Sequence, residues 1–188
     1  MYEPLPRPTV EGMPASIDRP TRLRLRPVTP DDEPLLRELL GHVTGDSRWS
    51  RFFTGGVDLD RVARMEARCD DPRRIGVLAL GPDDEVLGHG MCVPLDDETR
   101  CEIAFEVADG HHRQGIGTAM LFDLVARARE AGVRQLVAEV LPGNRDMIDL
   151  LRDSGLPIEQ RLEDGVSHYE VALGSPAVNG PSAPGNAT

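Results

Sequence analysis

The chain has 188 residues, 39% of them apolar, which is enough for one domain with a packed core. Aromatic residues make up only 4%, so that core depends on leucine, valine, isoleucine and alanine. The net charge of −11 argues against a general binder of nucleic acid or of anionic membranes, and it suits a cationic partner. No apolar run approaches the roughly 18 residues of a membrane helix, and the N-terminus lacks the basic and apolar segments of a signal peptide. A cytoplasmic location is therefore expected.

The basic residues and the cysteines exclude further classes of protein. All 21 basic residues are arginine, so the chain has neither the lysine of a P-loop nor a lysine for Schiff-base chemistry. The three cysteines, Cys69, Cys92 and Cys101, are scattered and form no C-x-x-C pair. We therefore expect small buried hydrophobic residues rather than a disulfide framework or a zinc site.

Half of the prolines lie in the two ends of the chain, before residue 22 and after residue 173. Residues 1–21 are predicted to form a flexible, extended arm. The last segment, 174–188, has no charge and almost no large apolar side chain, so it cannot offset the entropy cost of ordering. It is predicted to be a disordered tail, which leaves a single domain at 22–173.

Within that domain, apolar periodicity predicts elements in a regular order. The first are a strand at 23–28 and a helix that begins at 29–33, with acidic residues in its first turn. The same patterns then predict a helix at 58–68, strands at 75–80 and 86–93 joined as a hairpin, a strand at 101–107, a helix at 117–131, a strand at 135–141, a short helix at 144–154 and a strand at 167–173. This order predicts an α/β domain, with helices on the faces of a mixed β-sheet.

The segment with the clearest chemical signal is V-A-D-G-H-H-R-Q-G-I-G-T-A at 107–119, which runs from a strand through a glycine-bearing loop into a helix. Gly115 and Gly117 allow a ligand to approach the backbone closely. The first amides of the helix are unpaired donors at the positive end of its dipole, an arrangement that suits a phosphate. A dinucleotide fingerprint would need a third glycine where Met120 stands, so a different phosphate ligand or a plain helix-capping turn remains.

The loop H-R-Q-G-I-G at 112–117 resembles the acyl-CoA loop of the GNAT family of N-acetyltransferases, in which Gln or Arg is usual at the position of His112. The segment L-P-G-N-R-D-M at 141–147 resembles the next segment of that family, in which an Asn opens a helix beside the pantetheine arm. The resemblance covers about 22–173. It implies a single GNAT-like domain whose mostly antiparallel mixed sheet has splayed central strands, at 101–107 and 135–141.

The resemblance also implies a set of residues that bind acetyl-CoA as cosubstrate, with no metal. These residues are Val107, Ala108, Asp109, His112, Arg113, Gln114, Gly115, Ile116, Gly117, Thr118 and Asn144. The pantetheine is expected to pair with the backbone of Val107 and Asp109. Asn144 alone also fits an ordinary helix N-cap, and the two roles are compatible.

Transfer of an acetyl group to an amine requires a base, because an alkylammonium has a pKa near 10.4 and is protonated at neutral pH. In the strand C-E-I-A-F-E-V at 101–107, Glu102 and Glu106 alternate onto one face. The run from Glu102 to Asp109 resembles the bacterial Pat-type protein lysine acetyltransferases, in which a Glu at the matching position is the general base. Glu102 is the first candidate base and Glu106 the second; a solvated strand carboxylate is the alternative for either.

Other residues with catalytic chemistry have plainer alternatives. Tyr169 is the candidate general acid, although it lies in the last predicted strand, where a core position is the alternative. His89 is expected to be buried, and Arg48 and Arg51 to form surface ion pairs. Trp49, Phe52 and Phe53 suit either an acceptor wall or the core.

The sequence therefore predicts an acetyl-CoA-dependent N-acetyltransferase that acts by direct attack of a primary amine, with protein lysine as the first acceptor. The alternatives are a small cationic amine such as a polyamine or aminoglycoside, and a non-catalytic acyl-CoA-binding module. Relatives dimerise through sheet edges or C-terminal strands, which leaves a homodimer open.

Overall fold

The computed structural model describes residues 23–52 and 56–174. The predicted arm at 1–21 lies outside the described residues, as does the predicted tail from residue 175 onwards. Within the described ranges the strands are β1 Arg24–Pro27, β2 Ile75–Leu80, β3 Val86–Pro94, β4 Arg100–Val107, β5 Gln135–Val140, β6 Ile158–Glu163 and β7 Val166–Ala172. The α-helices are α1 Glu33–Gly41, α2 Gly45–Phe52, α3 Leu59–Glu66, α4 Ile116–Glu130 and α5 Arg145–Asp153.

The strands form one sheet in the order β1-β2-β3-β4-β5-β7-β6. Its described pairings are antiparallel except for that of β4 with β5. Helices α4 and α5 pack on one face of the sheet in the larger apolar cluster, and α1 and α3 pack on the other face in a smaller cluster. The predicted fold class, an α/β domain with a mixed, mostly antiparallel sheet, is confirmed.

Two elements were missed by the sequence patterns, helix α2 and strand β6. Helix α2 is short and polar, so it has no apolar stripe to reveal it. Strand β6 lies at the edge of the sheet and is largely exposed. Polar residues are tolerated on an edge strand, and the alternation that marks a half-buried strand is therefore weak there.

The predicted splay between the central strands is present and has a sharp start. Strand β4 pairs with β5 at Arg100–Gln135, Cys101–Leu136 and Glu102–Val137. Beyond Glu102, β4 remains paired with β3, and beyond Val137, β5 remains paired with β7. Each strand thus keeps its outer partner while the two separate from each other, and an opening forms in the middle of the sheet.

The cysteines follow the prediction at two of three positions. Cys92 and Cys101 are buried and free, whereas Cys69 is free and exposed, so its predicted burial was wrong. Cys69 lies in the exposed segment 68–70, which follows α3. Burial raises the pKa of the Cys101 thiol to about 11, which makes this thiol unreactive at neutral pH.

Substitution of Leu124 by Ala is expected to lower the free energy of unfolding by about 2–5 kcal/mol, because the side chain is fully buried between α4 and the sheet. Leu162→Ala on the exposed edge strand is the matched control and is expected to change it by less than about 0.5 kcal/mol. Urea denaturation measures both. Equal losses in the two variants would contradict this description of the core.

Candidate active site

The separation of β4 from β5 opens a cleft of about 500 Å³. One wall is the free half of β4, from Ile103 to Val107, and Glu139 of β5 lies across from it. The loop before α4, the first turn of α4 and the segment that begins α5 form the second wall. The third wall consists of Val43, Ser47 and Arg51, from α2 and the turn that precedes it.

The loop that enters α4 has the backbone geometry predicted for an anion site. Gly115 is the N-cap of α4 and has a φ of 78°, and Arg113 has a φ of 58°, so both residues are left-handed. A left-handed residue next to right-handed ones turns successive amides towards one side of the loop. The first amides of a helix have no partners within it, and they carry the positive end of its dipole. This loop can therefore bind a phosphate.

Most of the predicted acetyl-CoA residues line the cleft: Val107, His112, Arg113, Gly115, Ile116, Gly117, Thr118 and Asn144. A Cβ added at Gly117 would make an ordinary van der Waals contact with Leu150 Cδ2 at 3.5 Å, so the open gap between α4 and α5 does not depend on this glycine. The splayed strands, the open gap and the free helix amides together fit an elongated ligand that carries phosphate.

Three predicted residues do not line the cleft: Ala108, Asp109 and Gln114. The Asp109 amide donates to the His42 carbonyl oxygen at 3.0 Å, and its carboxylate accepts from the Thr44 amide at 3.1 Å. Because that amide already has a partner, the structure does not support the expected pairing of pantetheine with the Asp109 amide. Asp109 instead ties the end of β4 to the turn before α2.

Side chains of the loop bridge to α5. His112 Nδ1 lies 2.8 Å from Asp146 Oδ2, and His112 Nε2 lies 3.1 Å from the Val107 carbonyl oxygen. Arg113 Nη1 donates to Asp146 at 3.2 Å and to Asp149 at 3.3 Å. The loop and α5 are thus connected by charged hydrogen bonds, and His112 braces the structure where a phosphate contact was expected.

Asn144 is the N-cap of α5, as predicted, and its side chain accepts from the Met147 amide at 3.1 Å. The same residue lines the cleft. The cap therefore fixes the start of α5 against the opening between the strands, and the capping role does not compete with a position beside the ligand.

Glu102 lies where the splay begins, and its side chain is exposed to the cleft. Burial by the neighbouring protein raises the pKa of this carboxyl, the negative charge of Glu139 raises it further, and the positive charge of Arg51 lowers it in part. The net effect is an accessible carboxylate with a raised pKa, which is a better base than an ordinary glutamate.

Glu106 has the opposite environment, although it lies on the same face of β4. It is buried, and its carboxylate accepts from Arg51 Nε at 2.8 Å and from His89 Nδ1 at 2.8 Å. Burial alone would raise the pKa of Glu106, but the charges of Arg51 and His89 outweigh it and lower the pKa to about 2. Such a carboxylate is a poor base, so the structure does not support Glu106 as a catalytic residue, and the alternative of a solvated strand carboxylate was also wrong.

A second carboxylate completes this buried cluster, which we call the ion quartet: Arg51, Glu66, His89 and Glu106. Glu66 Oε1 accepts from Arg51 Nη2 at 3.1 Å, and Glu66 Oε2 lies 3.5 Å from His89 Nδ1. The expectation that Arg51 forms a surface ion pair was wrong, since it joins α2 to α3 and β4. Arg48 makes no surface ion pair within the described residues; it donates to the carbonyl oxygens of Leu40 and Val43.

The quartet is electrically neutral when His89 is protonated and both carboxyls are ionised; burial and the charge of Glu106 raise the pKa of Glu66, and His89 and Arg51 oppose that rise. Burial alone would lower the pKa of His89, but the charges and hydrogen bonds of Glu106 and Glu66 raise it to about 9. His89 Nδ1 faces only carboxylate oxygens, so it carries a proton. The predicted burial of His89 is confirmed, since it is 0% exposed.

The remaining candidates lie elsewhere. Tyr169 is 1% exposed and packs in the larger apolar cluster, away from the cleft lining, so the structure does not support the prediction that it acts as the general acid. Trp49 is exposed and does not line the cleft, whereas Phe52 packs against the smaller apolar cluster. Phe53 lies outside the described residues. The structure does not support an acceptor wall built from Trp49 and Phe52.

Sequence patterns missed Arg51, Glu66 and Glu139 as parts of the site. The first two come together only through packing of α2 and α3 on the sheet, and no local spacing indicates this. In the structure Glu139 lies two residues after Val137, the pairing partner of Glu102, and so on the same face of the sheet as Glu102.

Residues 42–156 match the model of the acetyltransferase (GNAT) family, and the chain therefore belongs to that family. The GNAT domain of S. lividans PAT is a similar solved structure, with 29% sequence identity, a TM-score of 0.71, and coverage of 80% of this chain and 90% of that one. This similarity supports the predicted resemblance to the Pat-type branch.

Two further solved structures share the fold at lower identity. One is yncA from Salmonella typhimurium with acetyl-CoA, at 17% identity and a TM-score of 0.67, covering 85% of this chain and 98% of that one. The other is a phosphinothricin acetyltransferase from Sinorhizobium meliloti in complex with acetyl-CoA. It has 19% sequence identity and a TM-score of 0.64, and the match covers 81% of this chain and 89% of that one. As a member of the acetyltransferase (GNAT) family, the chain is an acetyl-CoA-dependent N-acetyltransferase. No helix among its described residues is long and apolar enough to cross a membrane.

The quartet predicts a dependence of stability on pH. Because the pKa of His89 is raised from 6.5 to about 9 on folding, its contribution is fully present below pH 6.5 and is lost as the pH rises towards 9. We expect the free energy of unfolding to fall over that range by up to about 3 kcal/mol. His89→Gln should be less stable at pH 6 and should lose this fall, as measured by urea denaturation at several pH values.

The matched control is His42→Gln, because His42 is exposed at the end of α1 and its backbone atoms make its hydrogen bonds to Leu39 and Asp109. This variant should keep the fall in stability between pH 6.5 and 9. If His89→Gln retained the fall as well, His89 would not be the titrating group.

Proposed function

We propose that this enzyme transfers the acetyl group of acetyl-CoA to the side-chain amine of a protein lysine, with Glu102 as the general base. The observation that carries the proposal is the position of Glu102 at the start of the splay, exposed to the cleft and with a raised pKa. Glu106 shares its face of β4 but is buried in ion pairs, which leaves Glu102 as the accessible carboxylate of this strand.

The reaction requires the acceptor amine to lose a proton. Glu102, directly or through one water molecule, takes this proton. The nitrogen lone pair then attacks the acetyl carbonyl carbon, the new C–N bond forms, and the C–S bond breaks. The thiolate needs no dedicated acid, because a thiol with a pKa near 8.5 is a good leaving group and can take its proton from water. An amide on the unpaired edge of β4 can stabilise the negative charge that develops on the carbonyl oxygen.

The acetyl-CoA side of the site is proposed to use the backbone of the loop before α4. The amides around Gly115, Ile116 and Gly117 would hold the phosphates at the N-terminus of α4. The unpaired edge of β4 up to Val107 would hold the pantetheine by backbone hydrogen bonds, as a further strand does at the edge of a sheet. Acetyl-CoA supplies the activated acetyl group.

Two observations support a cationic acceptor in general and protein lysine in particular. Glu102 and Glu139 face the cleft from opposite strands, and carboxylates attract an ammonium group. The similarity to the GNAT domain of S. lividans PAT, together with the resemblance of residues 102–109 to Pat-type protein lysine acetyltransferases, favours lysine over a small amine.

That the enzyme forms a homodimer stays a prediction.

Replacement of Glu102 by Gln is expected to lower kcat by about 10²–10⁴-fold, because the amine loses its proton acceptor while the shape of the cleft is retained. Binding of acetyl-CoA should persist. The assay measures free thiol released from acetyl-CoA against a panel of lysine-bearing proteins, polyamines and aminoglycosides, and calorimetry measures acetyl-CoA binding. Since the chain contains no lysine, acetylation of its own side-chain lysines cannot contribute to the signal.

The matched control is Glu130→Gln, an exposed carboxylate at the end of α4, which should retain wild-type turnover. Turnover on a protein that is lost in Glu102→Gln alone supports the proposal. Turnover confined to small amines would overturn the acceptor, and full turnover of Glu102→Gln would overturn the base. Acetyl-CoA binding without turnover on any acceptor would favour the non-catalytic module.

Substitution of Gly115 by Ala is expected to weaken acetyl-CoA binding by about tenfold, because a left-handed residue with a Cβ costs about 1–2 kcal/mol and the loop would relax away from its geometry. Calorimetric titration with acetyl-CoA measures the effect. Gly41→Ala is the control, since a Cβ at the end of α1 would have nothing within 4 Å. Unchanged affinity in Gly115→Ala would argue against phosphate binding at this loop.

A further inference from the structure

Arg51 and Glu106 both line the cleft, and Arg51 connects the buried ion quartet to it from helix α2. Its guanidinium is held by Glu106 at 2.8 Å and by Glu66 at 3.1 Å, while the residue itself lines the cleft wall. The catalytic steps described above do not use this residue. A buried, doubly paired arginine beside a reaction site calls for a separate explanation.

The paired carboxylates fix the position of the Arg51 charge. Each carboxylate comes from a different element, Glu66 from α3 and Glu106 from β4, and both are buried. The Arg51 side chain is only 18% exposed, and its carbon Cζ lies 4.9 Å from the centre of the Phe52 ring. A long cationic side chain that is fixed from three directions acts on its neighbours as a stationary charge.

We propose that Arg51 is a positioning residue whose fixed charge at the wall of the cleft keeps Glu102 ionised and ready to accept a proton. This inference rests on the proposed role of Glu102 as the base. Partial burial and the negative charge of Glu139 both favour the protonated form of the Glu102 carboxyl. Arg51, which lines the same cleft, opposes both, although the pKa of Glu102 stays above that of an ordinary glutamate.

The charged groups that face Glu102 come from several elements. Arg51, on α2, and Glu139, on β5, line the same cleft as Glu102 and act on its carboxyl through their charges. Its pairing partner on β3 is Val93, which does not titrate. On β4 itself, Arg100 lies two residues earlier on the same face.

More distant groups on this face are already paired with each other. Arg100 forms an ion pair with Glu170 at 3.6 Å, and His168 lies 3.6 Å from Glu139. Glu106 lies buried in the quartet, and the charges that shift the pKa of Glu102 are those of Glu139 and Arg51. Removal of Arg51 and removal of Glu139 should therefore change the titration of Glu102 in opposite directions.

The quartet also offers three ligand atoms, from Glu66, His89 and Glu106, within 4.8 Å of one another, a spacing that a metal ion could use. The positive charges of Arg51 and protonated His89 already balance the two carboxylates. A divalent ion would add two further positive charges to a buried cluster, which is unfavourable. The ion quartet is therefore the better assignment.

The experiment measures kcat/KM for an amine acceptor between pH 5.5 and 8.5, at saturating acetyl-CoA, for wild type, Arg51→Gln, Arg51→Lys and Glu139→Gln. The ratio of each variant to wild type cancels the titration of the acceptor amine. For Arg51→Gln this ratio should be about threefold lower at pH 5.5 than on its plateau at high pH, because Glu102 becomes protonated more readily.

For the other two variants, the ratio of kcat/KM to wild type is expected to change differently with pH. Arg51→Lys keeps the charge, so its ratio should be nearly flat with pH. Glu139→Gln removes a negative charge, so its ratio should be higher at pH 5.5 than at high pH. A merely structural role of Arg51 would lower kcat/KM by the same factor at all pH values, and that result would overturn the inference.

A second measurement separates this inference from the proposed function. The titration of the Glu102 carboxyl is followed by ¹³C NMR of glutamate-labelled full-length protein, with Glu102→Gln to assign the resonance. The pKa should be higher in Arg51→Gln than in wild type; an identical pKa overturns the inference whatever the activity. If Glu102→Gln remained fully active, the proposed base would fail while this titration would still decide the effect of Arg51.

A variant that removes a buried ion-pair partner can fail to fold, because it leaves an uncompensated charge. The double variant Arg51→Gln/Glu106→Gln removes both charges of the pair and keeps an amide for the hydrogen bond to His89. In this background the pKa of Glu102 should again be higher than in wild type. An unchanged or lower value in the folded double variant contradicts the proposal.

Discussion

The loss of pairing between β4 and β5 beyond Glu102 is the constraint on which the site depends. Both strands keep their antiparallel outer partners, so the backbone groups on their inner edges have no strand to bind. Unpaired amides and carbonyls near the core are costly unless water or a ligand satisfies them. The fold therefore creates at one place an opening, a row of backbone donors and acceptors, and a carboxylate at the point of separation.

The two glutamates of β4 show how the covering elements, rather than the strand, decide what a carboxylate can do. Glu102 and Glu106 share one face, yet α2 and α3 cover only the second with Arg51 and Glu66. The charges of two cationic partners outweigh burial and lower the pKa of Glu106, whereas partial burial beside another carboxylate raises that of Glu102. A strongly paired carboxylate stabilises the structure, and a weakly paired one remains available for proton transfer.

The sequence predicts the fold of this protein better than it predicts the residues of the site. Periodicity predicts the strands and helices that bury apolar side chains, because burial imposes the periods of two and 3.6 residues. The glycine loop and the Asn144 cap are local signals and were found. Polar elements such as α2 and β6 have no such period, and the ion quartet joins residues that are up to 55 positions apart in the chain. Such contacts depend on tertiary packing, which no spacing in the sequence encodes.

Helix α2 illustrates why that kind of contact escapes sequence analysis and still matters to chemistry. A helix with an apolar stripe is held by many small contacts, and each of them can be lost at moderate cost. Helix α2 is held against the sheet by the ion pairs of Arg51, with Phe52 as its apolar contact to the smaller cluster. In a buried ion network each charge depends on its partners, so the loss of one partner costs more than the network contributes as a whole. The wall of the cleft and the charge of Arg51, which acts on the Glu102 carboxyl, are therefore fixed by the same four side chains.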